Sequence, residues 1–419
     1  MALLAALAMA SGAVSQSFSS YFVDKTLRLD YVLTGDAQST QIALDELSEL
    51  PLWAGRKNHL GEVAVEGNGW IVVKDSVTSK VIYKNSFSTL YQEWILTEEA
   101  KHIRKGFECT CLIPLPQKTV EVSVQLFDAN RETVALYSHF VNPNDVLIRR
   151  RDTSAKTPVK YLLRSAKPLE KSIDLVILAE GYTSGEKELF FHDAQQAAES
   201  ILEHEPFATN KASFNIIAVA SDSEESGVSI PKEKNWKKTA FGSHFSTFYS
   251  DRYLTTPEVK SIHNLIAGIP YEHIILLANT SEYGGGGIYN MYELTAAHHS
   301  DFNQVVVHEF GHSFAGLADE YYYEDDVMTD TYPVRIEPWE ANITTLVNFE
   351  SKWKDMIKAG TPIPTKEPTN AVGLYEGAGY SARGIYRAYP DCRMKTNQCK
   401  EFCPVCKRAI QRVINFYTK

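Results

Sequence analysis

Two histidines four residues apart, with a glutamate directly after the first, are the residues of this chain best suited to chemistry: His308, Glu309 and His312. On a helix, positions four apart share a face, so both imidazoles can reach one metal ion. The Glu309 carboxylate, beside the first imidazole, can take a proton from a water activated by that metal. A catalytic zinc takes three protein ligands and keeps a fourth position open. Asp319, seven residues past His312 and beyond Gly316, can fold back as the third ligand, with its neighbour Glu320 in reserve.

A helix must carry this triplet, and the flanking residues predict one. Asp301 followed by Gln304 has the form of a capping box, Val305, Val306, Phe310, Phe314 and Leu317 supply apolar positions, and Ala315-Gly316 is a stopping point. Three consecutive valines are poor helix formers, so the segment depends on burial. Upstream, Ile173–Leu178, the stretch SFNIIAVASD and His273–Thr280 read as strands, with a helix from about Ser184 to His204. Strands alternating with helices predict an α/β domain. Between the third strand and the triplet lies SEYGGGGIYN. Its four glycines lack the Lys and Ser or Thr of a phosphate loop, which excludes a nucleotide site there. Glycines permit close backbone approach, and Ile288, Tyr289, Asn290 and Met291 are a candidate edge strand for pairing with an extended peptide.

The remaining sequence divides around this domain. Residues 18–150 carry alternating, β-branched stretches bounded by Gly, Asp and Asn, the pattern of a β-sandwich. His59, His102 and His139 are scattered there, so this region reads as a binding or presentation module outside the chemistry. A basic, polar linker is expected over 151–168, with the catalytic domain at 169–419. Residues 1–17, apolar from Ala2 to Ala10 and then small, have the form of a secretory leader. No later run is long enough to span a bilayer. The net charge of -10, without a basic block, argues against nucleic acid as a partner.

Four cysteines, Cys392, Cys399, Cys403 and Cys406, cluster near the C-terminus. The C-P-V-C among them can be read as a structural zinc site, but their spacing departs from paired C-x-x-C sites, and in an exported protein two disulfides are the first expectation, with zinc the alternative. Cys109 and Cys111, on one side of a strand, are expected to stay free. Glu324, Asp325, Asp326 and Asp330 are acidic enough for calcium, but their spacing is not that of an EF-hand loop.

HEFGHSFAGLADEY from His308, DCRM around Met394, and the upstream DLVILAEGYTSGE and SFNIIAVASDSEESG resemble the bacterial zinc metallopeptidases whose type member cleaves immunoglobulin A. The resemblance implies a mixed α and β, zincin-like peptidase domain behind an all-β sandwich module. It implies one catalytic zinc on His308, His312 and Asp319, Glu309 as general base, and Met394 in a turn beneath the metal. In the wider pattern H-E-x-x-H-x-x-G-x-x-H/D, Ala315 stands at the glycine position and the acid comes one residue late, which keeps Glu320 in view. Tyr380, Tyr386 and Tyr389 are candidates to support an oxyanion. The implied activity is endopeptidase cleavage of a polypeptide or glycoprotein by a secreted, periplasmic or cell-surface bacterial enzyme, with the oligomeric state left open. The same apparatus would serve a zinc amidase acting on cell-wall peptides. A catalytically inactive surface protein binding glycans or proteins is the non-enzymatic alternative.

Overall fold

The computed structural model describes residues 17–151, 157–323, 331–367 and 370–419. The acidic residues weighed for calcium and almost all of the leader lie outside them.

The N-terminal region is a sandwich of two four-stranded sheets. One holds β1 (Phe22–Asp36), β2 (Ser39–Leu50), β5 (Lys105–Pro116) and β8 (Arg149–Arg150) in the order β5-β1-β2-β8. The other holds β3 (Gly69–Asp75), β4 (Val81–Phe87), β6 (Val120–Phe127) and β7 (Thr133–Val141) in the order β4-β3-β6-β7. Alternate residues such as Leu27, Leu29, Val122 and Val124 face inward and are fully buried between the sheets. Cys109 and Cys111 lie unbonded in the same core. A short helix, α1 (Leu90–Trp94), begins at Thr89, whose side chain accepts the Gln92 amide.

The second domain is built on a six-stranded sheet ordered β13-β14-β12-β10-β11-β9. Its strands are β9 (Val159–Leu163), β10 (Ile173–Glu180), β11 (Phe214–Val219), β12 (His273–Ala278), β13 (Gly285–Ile288) and β14 (Tyr292–Ala296). The central four run parallel, and β9 and β13 are antiparallel edges. Every residue of β10 is buried, as a parallel strand covered on both faces requires. Helices α2 (Lys187–Leu202), α3 (Phe207–Asn210), α5 (Phe302–Ala315) and α6 (Pro404–Thr418) share a core with one face. Helix α4 (Val259–Leu265) covers the other. A small sheet of β15 (Ile343–Thr344), β16 (Tyr375–Ala378) and β17 (Ser381–Arg387) follows.

Three local expectations need correction. Strand β9 lies inside the segment read as a linker, whose basic and polar residues hid it. The stretch from Trp339 to Gly360, whose FESKWKDMIKAG segment reads as a helical insertion, instead forms the short strand Ile343–Thr344 and the 3-10 turns Phe349–Ser351 and Lys354–Met356. Asp301 precedes α5 without a side-chain cap hydrogen bond, so the capping box does not form.

The sandwich is also docked onto the second domain. Arg28, fully buried in β1, donates to Asn264 Oδ1 at 2.8 Å, and Asn290 Nδ2 donates to the Ser86 carbonyl at 2.7 Å.

Candidate active site

The valine-rich helix α5 exists because its apolar face is buried. Val306, Val307, Phe310 and Phe314 enter the core beside β10, β11 and β12, each contributing about 1.5–3 kcal/mol on burial. That offsets the poor propensity of the valines. Gly316 ends the helix in the left-handed conformation (φ 57°), with its N–H bonded to the His312 carbonyl. The turn sends the chain back toward the face that carries His308 and His312.

There the three side chains converge. His308 Nε2 lies 3.0 Å from Asp319 Oδ1 and 3.1 Å from His312 Nε2, and His312 Nε2 is 3.3 Å from the same Asp319 oxygen. Each imidazole is oriented from behind: His308 Nδ1 faces the Arg393 carbonyl at 2.9 Å and His312 Nδ1 the Leu317 carbonyl at 2.5 Å. A carbonyl only accepts, so both Nδ1 atoms carry hydrogen and, in neutral rings, both Nε2 atoms present lone pairs. Two such lone pairs facing each other beside a carboxylate favour positive charge between them, supplied by a proton or by a metal ion. Deprotonated donors, oriented by backbone partners, are what a zinc ion takes. These residues fit the metal.

The electrostatics show a cluster that attracts positive charge. Burial alone would raise the Asp319 carboxyl, but the two imidazoles hold it far below the usual range. Burial alone would lower His312, yet Asp319 and then Glu309 bring it up to about 9. Glu309 is half-buried at the start of the same turn, and its carboxyl is pushed up, first by burial and further by the charge of Asp319. A carboxylate raised toward neutrality is a better proton carrier than a solvated one.

The glycine run brings the sheet edge to this helix. A Cβ at Gly285 would stand 3.0 Å from Glu309 Oε1, and one at Gly287 only 2.4 Å from the Glu309 carbonyl oxygen. Side chains there would push β13 off α5. The edge strand is thus Gly285–Ile288, three residues earlier than the expected Ile288–Met291. Tyr289, Asn290 and Met291 form the following turn, held by Asn290 N–H on the Ser313 carbonyl and by the Ser88 amide on the Tyr289 carbonyl. Tyr253 already bridges Gly285 on the outer edge, so that end of β13 is taken.

Beneath the helix, Met394 is fully buried. A Cβ on Gly311 would lie 2.6 Å from its sulfur, so the thioether fills the space that the glycine leaves. Glu320 points away from the histidines, into a cluster with Cys392, Cys403 and Cys406. Tyr380 donates its hydroxyl to Asp319 Oδ2. Tyr386 lies in β17, and Tyr389 packs at the margin of the main core.

Sequence reasoning missed one contributor. Glu93, from α1 of the sandwich module, accepts the Tyr253 hydroxyl. Its carboxyl is pushed up to about 7, chiefly by burial, and it feels the charges of His312, Asp319 and Glu309. Through Glu93 and Tyr253 the module touches the strand edge that packs on the Glu309 turn. Nothing periodic around Glu93 marks it in the sequence. Tyr380, by contrast, was noticed, but its observed partner is a carboxylate oxygen.

A prediction follows from that partner. Tyr380→Phe is expected to weaken metal binding about 10–100-fold, the usual effect of removing a group that orients a ligand. At saturating zinc kcat should be nearly unchanged. Titration against a competing chelator, combined with kinetics at saturating metal, checks this. A fall in kcat with unchanged metal affinity would favour oxyanion support instead.

A mixed α and β domain with two helix histidines, an intervening glutamate and a converging aspartate defines a zinc metallopeptidase. A family profile described as IgA peptidase M64 matches residues 162–371 and 365–414, more than half of the chain, and one described as the peptidase M64 N-terminus matches 17–138. The chain belongs to the M64 peptidase family. Comparison with curated proteins gives no match.

Proposed function

We propose that the chain is an endopeptidase that cleaves polypeptide or glycoprotein substrates, with Glu309 as general base. The convergence of His308, His312 and Asp319 beside Glu309 carries this reading. Zinc, when bound, supplies Lewis acidity toward a water and the scissile carbonyl. Asp319 and the two Nε2 atoms would hold the ion, and the Arg393 and Leu317 carbonyls fix the imidazole planes. Glu309 takes the proton that the attacking water loses and returns it to the leaving amine. Exposed tyrosines close by in sequence to the ligand segment, Tyr322 and Tyr323, offer broad amphipathic contact to a polypeptide. The family description names immunoglobulin A, which supports a glycoprotein substrate met outside the cytoplasm. Among the described residues no helix is long and apolar enough to cross a membrane.

The test is metal removal followed by a substrate panel. Dialysis against a strong chelator should abolish cleavage of denatured proteins, and one equivalent of zinc at the histidine site should restore it. Internal cuts in proteins are the expected products. Cleavage confined to peptidoglycan fragments would select the amidase reading. An inert, zinc-loaded chain that still binds glycoproteins would select the binding protein.

A further inference from the structure

The C-terminal cysteines do not pair. In place of the expected disulfides, all six cysteines are free, and three of them surround a carboxylate. The ligand atoms of Glu320, Cys392, Cys403 and Cys406 all lie within 4.8 Å of one another. Cys392, Cys406 and Glu320 are 0% exposed and Cys403 is 3% exposed. Cys399, the remaining cysteine of the group, faces the Glu401 carbonyl instead.

We propose that these four residues form a second, structural zinc site, separate from the catalytic cluster. The spacing of the donors favours a metal over a covalent bond. Cys392 Sγ and Cys406 Sγ stand 3.7 Å apart. A disulfide needs about 2.05 Å, whereas two sulfurs about 2.3 Å from a tetrahedral zinc are about 3.8 Å apart. Glu320 Oε1 is 3.1 Å from Cys406 Sγ and takes a hydrogen bond from Asn342 Nδ2 at 3.0 Å.

The other Glu320 oxygen, Oε2, is buried and has no hydrogen-bond partner. A buried carboxylate oxygen without a partner is costly, and a cation at the centre of the cluster would satisfy it. The backbone is arranged for sulfur ligands as well. The Cys403 amide donates to Cys392 Sγ at 3.1 Å, and the Cys406 amide to Cys403 Sγ at 3.5 Å. Cys403 is also the N-cap of the 15-residue helix α6, where the helix dipole favours a thiolate. Buried Arg387 and Arg393 supply positive charge nearby. Three soft sulfurs and one carboxylate, four-coordinate and closed to solvent, match zinc better than calcium or magnesium. On binding, each protonated thiol releases its proton to solvent and no electron moves.

The position gives the site a purpose. Glu320 directly follows Asp319, its amide donates to the Met394 carbonyl at 2.8 Å, and Cys392 lies two residues before Met394. One ion would tie the Asp319 segment, the Met394 turn and the start of α6 into a rigid unit under the catalytic cluster.

Metal counting on the full chain tests the inference without any activity assay. Wild type should carry two zinc ions. A His308→Ala, His312→Ala variant should keep one, released only when an organomercurial blocks the thiols. The same variant reconstituted with cobalt should show thiolate-to-cobalt charge-transfer absorption. Cys399→Ser should retain this metal and Cys403→Ser should lose it. Should Cys403→Ser fail to fold, the count in the double histidine variant still decides. One zinc in wild type and none in that variant would overturn the proposal, as would a peptide map cross-linking any two of Cys392, Cys403 and Cys406. A chain holding only the thiol-bound zinc would instead disprove the catalytic reading and leave this one standing.

Discussion

Glu309→Gln is expected to remove peptide hydrolysis while leaving both the fold and the metal in place. Gln keeps the shape of the side chain but cannot take a proton from water. Losing a positioned general base costs about 10²–10⁴-fold, or about 3–5 kcal/mol at about 1.4 kcal/mol per tenfold, so kcat should fall by that amount. Glu309 is outside the His308, His312 and Asp319 cluster that could hold a metal ion, so zinc content should match wild type. Stability should not fall either. Burial is the chief cause that raises the Glu309 carboxyl, and a neutral amide of the same volume is less costly to bury than a charge. Stopped cleavage assays with metal analysis on the same samples check the result. Unchanged kcat would remove Glu309 from the chemistry, and lost zinc would show that the variant perturbs the ligands.

The helix triplet was legible because its information is local: period, apolar flanks and a stop glycine all fall between Asp301 and Gly316. The sandwich and the alternating α/β order were legible for the same reason, through strand alternation and fully apolar runs such as β10. What escaped depends on contacts remote in sequence. The Tyr380 hydroxyl meets Asp319 from 61 residues away, and Cys406 meets Glu320 across 86 residues. Cysteine spacing alone therefore pointed to disulfides, because the fourth member of the cluster is a glutamate far upstream. Glu93 belongs to a five-residue helix in another domain, and only docking brings it to Tyr253. The glycines of β13 were read correctly as permitting close approach, but what approaches them, the Glu309 turn of α5, is a tertiary fact.

Asp319→Ala is expected to empty the catalytic site, whereas Glu320→Ala should not. The two carboxylates are neighbours in sequence, but their side chains enter different clusters. Asp319 Oδ1 lies 3.0 Å from His308 Nε2 and 3.3 Å from His312 Nε2, while Glu320 Oε1 lies 3.1 Å from Cys406 Sγ. Without Asp319 only two imidazoles remain, too few for a tight zinc site. The loss should exceed the about 100-fold that a merely orienting group can cause, so hydrolysis should vanish at ordinary zinc concentrations and return only partly at high zinc. Glu320→Ala should keep the histidine-bound metal and lower the retention of the thiol-bound one. Cobalt reconstitution separates the two pools, because only the cysteine cluster can give sulfur charge-transfer absorption. The assignment is reversed if Glu320→Ala abolishes the histidine-bound metal and Asp319→Ala, folded and active, retains it.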